Sequence, residues 1–279
     1  MRLIDSHCHL QADRFENDVD EVIEAARAAG VERILVPGWN GWSCDAALAR
    51  VARHPWLDAA VGVHPHDAAK VDEAEWGRIA GLASDPRVVA VGETGLDFDR
   101  VFSPIPDQLT NLRRNLALAL ELGKPAILHV RSKPGQRDAQ DTLVEELRTA
   151  GFGSPAATRA FGEQPPAVIH SFSGSLTFAR AVLDLGLAIS ISGLAFRAGE
   201  EATREVAAVV PPDRLLIETD SPFLSPPGGP RGRNSPEWVR ITASWVAQAR
   251  GADEGTFGDE LVAAYDRTFR RNERAESPV

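Results

Sequence analysis

Leu3-Ile4-Asp5-Ser6-His7-Cys8-His9-Leu10 is the stretch from which the fold can be read. In an extended chain residues i and i+2 face the same side. An apolar start followed by His7 and His9 is therefore expected to be a buried strand whose C-terminal end offers two imidazoles together, as a metal site needs. Cys8 then faces the opposite way, as a packing residue. Taken alone, the pair fits a polar strand end beside a turn as well as it fits a metal site, so the rest of the chain has to decide.

Outward from this stretch the sequence alternates. Glu16 to Ala29 has helical spacing and stops at Gly30, a common residue just past a helix end. Arg33 to Gly38 is a second apolar run with a helix from Ser43 to Arg53 behind it, and Leu57 to Val63 is a third, followed by a helix carrying Trp76, Ile79 and Leu82. Val88 to Gly92 is the fourth run, with a helix from Gln108 to Leu122. Ala126 to Leu128 is the fifth, Ala167 to Ile169 the sixth, Leu187 to Ile191 the seventh and Arg214 to Thr219 the eighth. Helical segments are expected at Ala139 to Ala150, Leu176 to Leu185, Glu200 to Val210, Val239 to Ala249 and Asp259 to Arg271. Residues 132–166 form an enlarged connection, in which Gly151 to Pro166 carries several Gly and Pro.

Strand-like runs each followed by a helix are the pattern of a (β/α)8 TIM barrel. An open doubly wound sheet would want a Gly-rich phosphate loop after an early strand, and none is present. Nor does a repeat of 20 to 50 residues suggest a solenoid. With 279 residues, 43% hydrophobic and 25% charged, the chain is long enough to make residues 1–272 a single barrel domain, with 273–279 as a flexible tail. The absence of a leader-like segment or an 18-residue apolar stretch, and the presence of only Cys8 and Cys44, lead to the expectation of a cytoplasmic protein without membrane contact. A net charge of −10 disfavours bulk attraction of nucleic acid, so a polyanionic substrate would have to be held locally, by divalent cations or a few arginines.

The polar residues concentrate where barrel enzymes build their sites, at the C-terminal ends of the runs. His7 and His9 close the first, His64 the third, Glu93 the fourth, His129 the fifth, His170 the sixth and Asp220 the eighth. Of the histidines, only His54 falls in a helix. Once a barrel closes, these ends share one mouth, and imidazoles with carboxylates suit divalent first-row metals, with Mg²⁺ less favoured by the nitrogen-rich set. A carboxylate such as Glu93 can bridge two ions, and two ions about 3.5–4 Å apart can activate a water and stabilise both oxygens of a displacement. No lysine closes the fourth or fifth run: Lys124 precedes the fifth and Lys133 follows it. Glu218 is left open, either as a plain loop acid or as an acceptor orienting a ligating imidazole.

Together the motifs Asp5-Ser6-His7-Cys8-His9, Gly62-Val63-His64-Pro65-His66, Gly92-Glu93-Thr94-Gly95-Leu96-Asp97, His129-Val130-Arg131, His170-Ser171-Phe172-Ser173-Gly174 and Glu218-Thr219-Asp220-Ser221-Pro222 resemble the TatD-type metal-dependent deoxyribonucleases of the amidohydrolase-like barrels. Arg231-Gly232-Arg233-Asn234-Ser235-Pro236 extends the resemblance. It implies that His7, His9, Glu93 and Asp220 hold one divalent ion while Glu93, His129 and His170 hold a second, the metal being Mg²⁺, Mn²⁺ or Zn²⁺. It implies Glu93, Asp220 and His64 as catalytic residues, with Asp220 taking the proton from the attacking water and His64 near the scissile phosphate. Arg131 and Arg231 are the expected phosphate contacts, since guanidinium matches phosphate geometry.

The expected function is a 3′-5′ exonuclease-like deoxyribonuclease acting on single-stranded DNA or 3′ ends, in repair or turnover. Alternatives are an ester or amide hydrolase on the same site, such as one deacylating aminoacyl-tRNA, and a non-catalytic binding module. Departures from the family pattern are Ser171 where Cys is frequent, Phe98 where Tyr is usual, Asp266 where Asn is expected, and the enlarged loop after Arg131.

Overall fold

The computed structural model describes residues 1–269. Eight parallel strands, β1 (Leu3–Asp5), β2 (Val31–Pro37), β3 (Leu57–Val61), β4 (Val88–Asp97), β5 (Ala126–Arg131), β6 (Ala167–Ile169), β7 (Ala188–Ile191) and β8 (Leu215–Ile217), form one sheet in sequence order. Between them run α1 (Val19–Ala28), α2 (Gly41–Arg53), α3 (Glu73–Leu82), α4 (Ile105–Leu122), α5 (Asp138–Ala150), α6 (Pro155–Phe161), α7 (Leu176–Asp184) and α8 (Ala202–Val209). α9 (Val239–Arg250) and α10 (Glu254–Phe269) follow β8. The barrel pattern is therefore present. Its strands are buried almost throughout, and Leu3, Ile4, Ile34, Leu35, Val91, Leu128, Ile189 and Leu216 are each 0% exposed. Burying such a side chain contributes roughly 1.5–3 kcal/mol.

Neighbouring strands pair in parallel from β1·β2 through to β7·β8. The seam between β8 and β1 closes differently, beyond the ends of both strands. Cys8 forms an isolated parallel bridge with Ser221, supported by Ser6 N–H to Ile217 O at 3.0 Å and His9 N–H to Ser221 O at 2.8 Å.

Several boundaries differ from the sequence expectation. β1 stops at Asp5, so His7 and His9 lie past the regular strand, in extended chain that keeps the two-residue alternation because Cys8 is bonded to Leu35 O on one side and bridged to Ser221 on the other. Cys8 is buried, and both cysteines are free thiols. β4 and β5 run past their expected ends, to Asp97 and Arg131. The polar residues there did not read as strand, but Gly95 pairs with His129 and Asp97 with Arg131. A register shift between Val91 and Thr94 marks a bulge at Gly92–Glu93, which period-two hydrophobicity cannot reveal.

β3 and β8 are shorter than their apolar runs, ending at Val61 and Ile217. The Gly/Pro-rich stretch 151–166 contains α6, with Pro155 in its first turn and Ser154 capping it by accepting from Ala156 N–H at 3.1 Å. α10 begins at Glu254 rather than Asp259. Arg271 and the expected tail 273–279 lie outside the described residues. Among the described residues no helix is long and apolar enough to cross a membrane.

Candidate metal centre

Two side chains of α4 pin the strand ends that carry the site. Gln108 clamps the backbone of Asp97, accepting from its N–H at 2.8 Å and donating to its carbonyl at 3.0 Å, and Asn111 donates to Val63 O at 2.6 Å. Both are buried, so these bonds form away from competing water. Gly95 has φ +139°, and a Cβ there would collide with the carbonyl oxygen of His129, so only glycine lets β4 and β5 approach this closely.

On this frame the imidazoles and carboxylates converge at the mouth of the barrel. His7 and His9 present their Nε2 atoms 3.2 Å apart. Glu93 Oε2 lies 3.3 Å from His7 Nε2 and 3.6 Å from His9 Nε2, and Asp220 Oδ1 lies 3.8 and 3.4 Å from the same two atoms. Glu93 Oε1 turns the other way, 3.3 Å from His129 Nδ1 and 3.0 Å from His170 Nε2, which are themselves 3.3 Å apart.

These spacings test whether an ion fits. A four-coordinate ion with bonds of about 2.0–2.1 Å sets its ligand atoms about 3.3–3.4 Å apart. The His7, His9 and Glu93 atoms, 3.2–3.6 Å apart, come close to the spacing of one face of such a tetrahedron, with Asp220 beside the two imidazoles. The Glu93, His129 and His170 atoms, 3.0–3.3 Å apart, likewise come close to the spacing of a face. The donor chemistry and spacing therefore fit divalent-metal binding, by His7, His9 and Glu93 and by Glu93, His129 and His170.

The surroundings of the imidazoles are unequal. His170 directs Nδ1 at Glu218 Oε1 (3.1 Å), which also accepts from the Ser171 N–H at 2.6 Å and the Ser171 hydroxyl at 2.9 Å. Glu218 is thus an orienting acceptor rather than a loop acid. His129 directs Nε2 at Asp97 Oδ2 (3.2 Å), and His66 directs Nε2 at the same oxygen (2.8 Å). Asp97 had no expected role, although its signal was in the sequence: Glu93 and Asp97 are four residues apart and share a face of a strand. By contrast, His7 Nδ1 and His9 Nδ1 are buried with no hydrogen-bond partner among the described residues.

Burial disfavours the charge on Glu93, but His64, His170 and His7 outweigh it and hold the carboxyl well below its usual range. For His170, burial opposes protonation while Glu93 and Glu218 overcome it, raising its pKa. Burial wins at His64, lowering it to about 4. His64 Nδ1 accepts from the His66 N–H at 3.1 Å, so its proton sits on Nε2, 3.2 Å from Glu93 Oε1. His64 is a neutral donor aimed into the site.

Asp220 has φ +54°, a left-handed conformation that Asp tolerates better than most residues. The cluster opens into a cleft of about 2210 Å³, lined by Arg131 and Arg231 among others. Neither guanidinium is hydrogen-bonded or ion-paired to a described residue of the cluster. Arg131 ends β5 in the field of Glu200, and Arg231 is exposed on the loop after β8. Of the departures from the family pattern, Ser171 takes part in the site through Glu218, Phe98 is buried, and Asp266 sits away from it, 3.8 Å from Arg33.

Comparison with known proteins bears on this arrangement. Residues 4–270 match the family model described as TatD related DNase. The chain is 37% identical over 257 residues to the 3′-5′ ssDNA/RNA exonuclease TatD of Klebsiella pneumoniae, covering 90% of this chain and 91% of that protein. It is 34% identical over 248 residues to the uncharacterized metal-dependent hydrolase YabD of Bacillus subtilis, covering 89% and 91%. The crystal structure of YJJV, a TatD homolog from Escherichia coli, superposes with a TM-score of 0.84 at 28% identity, over 96% of this chain and 98% of that one.

Proposed function

The chain belongs to the TatD-related DNase family of metal-dependent hydrolases, and from that premise we propose that it is a nuclease removing nucleotides from the 3′ ends of single-stranded DNA or RNA. The observation that carries this reading is the division of Glu93 between two ligand groups, Oε2 facing His7 and His9 and Oε1 facing His129 and His170. Residues 1–272 act as one catalytic domain. We place the activity in the cytoplasm, in DNA repair or turnover.

In this reading His7, His9, Glu93 and Asp220 hold one divalent ion, and Glu93, His129 and His170 hold the other. Mg²⁺, Mn²⁺ and Zn²⁺ are all compatible with nitrogen and oxygen donors. When bound, such ions supply Lewis acidity at the phosphate and lower the pKa of the attacking water. Asp220, whose carboxylate is 15% exposed and faces the cleft, accepts the proton of that water. His64 donates its Nε2–H toward a phosphate oxygen, which a neutral imidazole can do without adding charge to the cluster. Glu218 and Asp97 hold the imidazoles of His170 and His129 in their orientations. Arg131 and Arg231 meet the flanking phosphates, offsetting an acidic surface.

A nuclease assay on a single-stranded oligonucleotide with added Mg²⁺ or Mn²⁺ tests the reading, with Glu93→Ala and Asp220→Asn alongside. Wild type is expected to shorten the strand from its 3′ end, and each variant to lose about 10²-fold or more in kcat. Equal activity in the variants would sink the mechanism. Release of an amino acid from charged tRNA with no cut in DNA or RNA would move the reaction to another ester.

A further inference from the structure

Three aromatic side chains are exposed among the described residues, Trp42 (56%), Phe102 (67%) and Phe223 (50%). All stand at the end of the barrel that bears the ligand cluster. They come from three separate connections: Trp42 at the start of α2, Phe102 between β4 and α4, and Phe223 after β8. The other Phe, Trp and Tyr side chains of residues 1–269 are buried or partly buried. Singly scattered exposed rings need no explanation, but gathering every exposed ring around one mouth does.

The rings flank the cluster on both sides of Glu93. On the Oε1 side the His64 and His66 ring centroids are 4.3 Å apart, and Phe102, itself outside the cleft lining, stands edge-on at 4.7 Å to His66, which lines it. On the Oε2 side Phe223 lies 6.2 Å from His9, Trp39 lies 5.1 Å from His9, and Trp42 extends the row 6.0 Å beyond Trp39. Cations interleave with them. Arg100 is two residues before Phe102, and Arg231 is on the loop that follows Phe223. Both line the cleft, and neither guanidinium is paired with another described residue.

Cations beside free aromatic faces match an unpaired strand, whose phosphates need the charge and whose bases can stack on the rings whatever their identity. A duplex keeps its bases stacked on each other and offers a free face only on its terminal pair. We propose that Phe102 on one side, and Trp42 with Phe223 on the other, are stacking surfaces for the nucleobases flanking the scissile phosphate. The enzyme then selects single-stranded ends through their bases without reading sequence. This rests on the nuclease reading above and adds the part of the substrate that the ligand cluster does not touch.

The test compares a single-stranded oligodeoxynucleotide with an abasic phosphodiester chain of the same length, equal in charge but lacking bases. The ratio of kcat/KM for the two is measured in wild type, in Trp42→Ala, Phe102→Ala and Phe223→Ala, in the conservative Phe102→Tyr, and in Val209→Ala as an exposed apolar residue on α8. Wild type is expected to prefer the base-bearing strand by about tenfold or more. Each alanine variant at a ring should lose several-fold of that preference, mainly in KM, while Phe102→Tyr and Val209→Ala retain it.

If wild type cuts both chains equally well, or if the alanine variants keep the full preference, stacking is overturned while the nuclease reading stands. An unchanged preference with an altered mass in light scattering overturns it in favour of a protein interface. If wild type cuts neither chain with Mg²⁺ or Mn²⁺, the nuclease reading fails and this proposal falls with it.

Discussion

The backbone N–H of Asp220 donates to the carbonyl oxygen of His7 at 2.9 Å, joining the two chain segments that close the barrel. Regular pairing stops at Asp5 in β1 and at Ile217 in β8. The seam is therefore completed by the segments that carry His7, His9 and Asp220, and barrel closure and the placement of these three side chains are one structural event. Buried Asp5 strengthens the seam by accepting from Thr219 N–H at 2.9 Å and from the Thr219 hydroxyl at 2.5 Å.

Thr219→Val keeps the volume but removes the hydroxyl donor to a buried carboxyl group. It should cost about 1–3 kcal/mol in denaturant unfolding of the metal-free protein. Because the seam also carries His7, His9 and Asp220, which we propose as ligands, the same variant should bind Mn²⁺ more weakly. A stability loss with unchanged metal affinity would separate closure from ligand placement.

Glu218→Gln leaves His170 with a neutral partner in place of the carboxylate at 3.1 Å. A lost orienting carboxylate typically lowers metal affinity about 10–100-fold. Competition against a chromophoric chelator should show one of two binding steps weakened, that of the group containing His129 and His170. Both steps weakening equally would contradict the two-group assignment.

His64 gives a pH signature in the metal-free protein. Burial lowers its folded pKa from 6.5 to about 4, so between those values the unfolded chain binds more protons than the folded one. Stability contributed by neutral His64 is then present above about pH 6.5 and is lost as pH falls towards 4. Thermal unfolding midpoints of wild type should fall across this window relative to His64→Gln. Parallel curves for the two proteins would show that His64 does not titrate as placed.

Gly95→Ala forces a Cβ against the His129 carbonyl at φ +139°. The β4·β5 register must shift or the backbone must strain, at a cost of about 3 kcal/mol, read by chemical unfolding. Gly77→Ala, where a Cβ meets nothing within 4 Å in α3, should be neutral or slightly stabilising. A small effect at Gly95 would mean that the close strand approach is not needed.

The sequence by itself determined the alternation of strands and helices and the kinds of residue at the strand ends. Both are local properties, written in hydrophobic period and in side-chain chemistry. His7, His9, Glu93, His129, His170 and Asp220 could be picked out together because a barrel sends every strand end to the same mouth.

Only the tertiary structure decided how those groups face one another. The bulge at Gly92–Glu93 turns one carboxylate toward two pairs of imidazoles, and no hydrophobic period records an inserted residue. Glu218 and Asp97 became orienting acceptors because His170 and His129, far away in the chain, present their second ring nitrogens to them. α6 was hidden in a Gly/Pro-rich stretch, where composition argues for a loop although Ser154 and Pro155 start a helix. The closing bond from Asp220 to His7 spans most of the chain, and a contact at that separation is set by how the whole sheet curls.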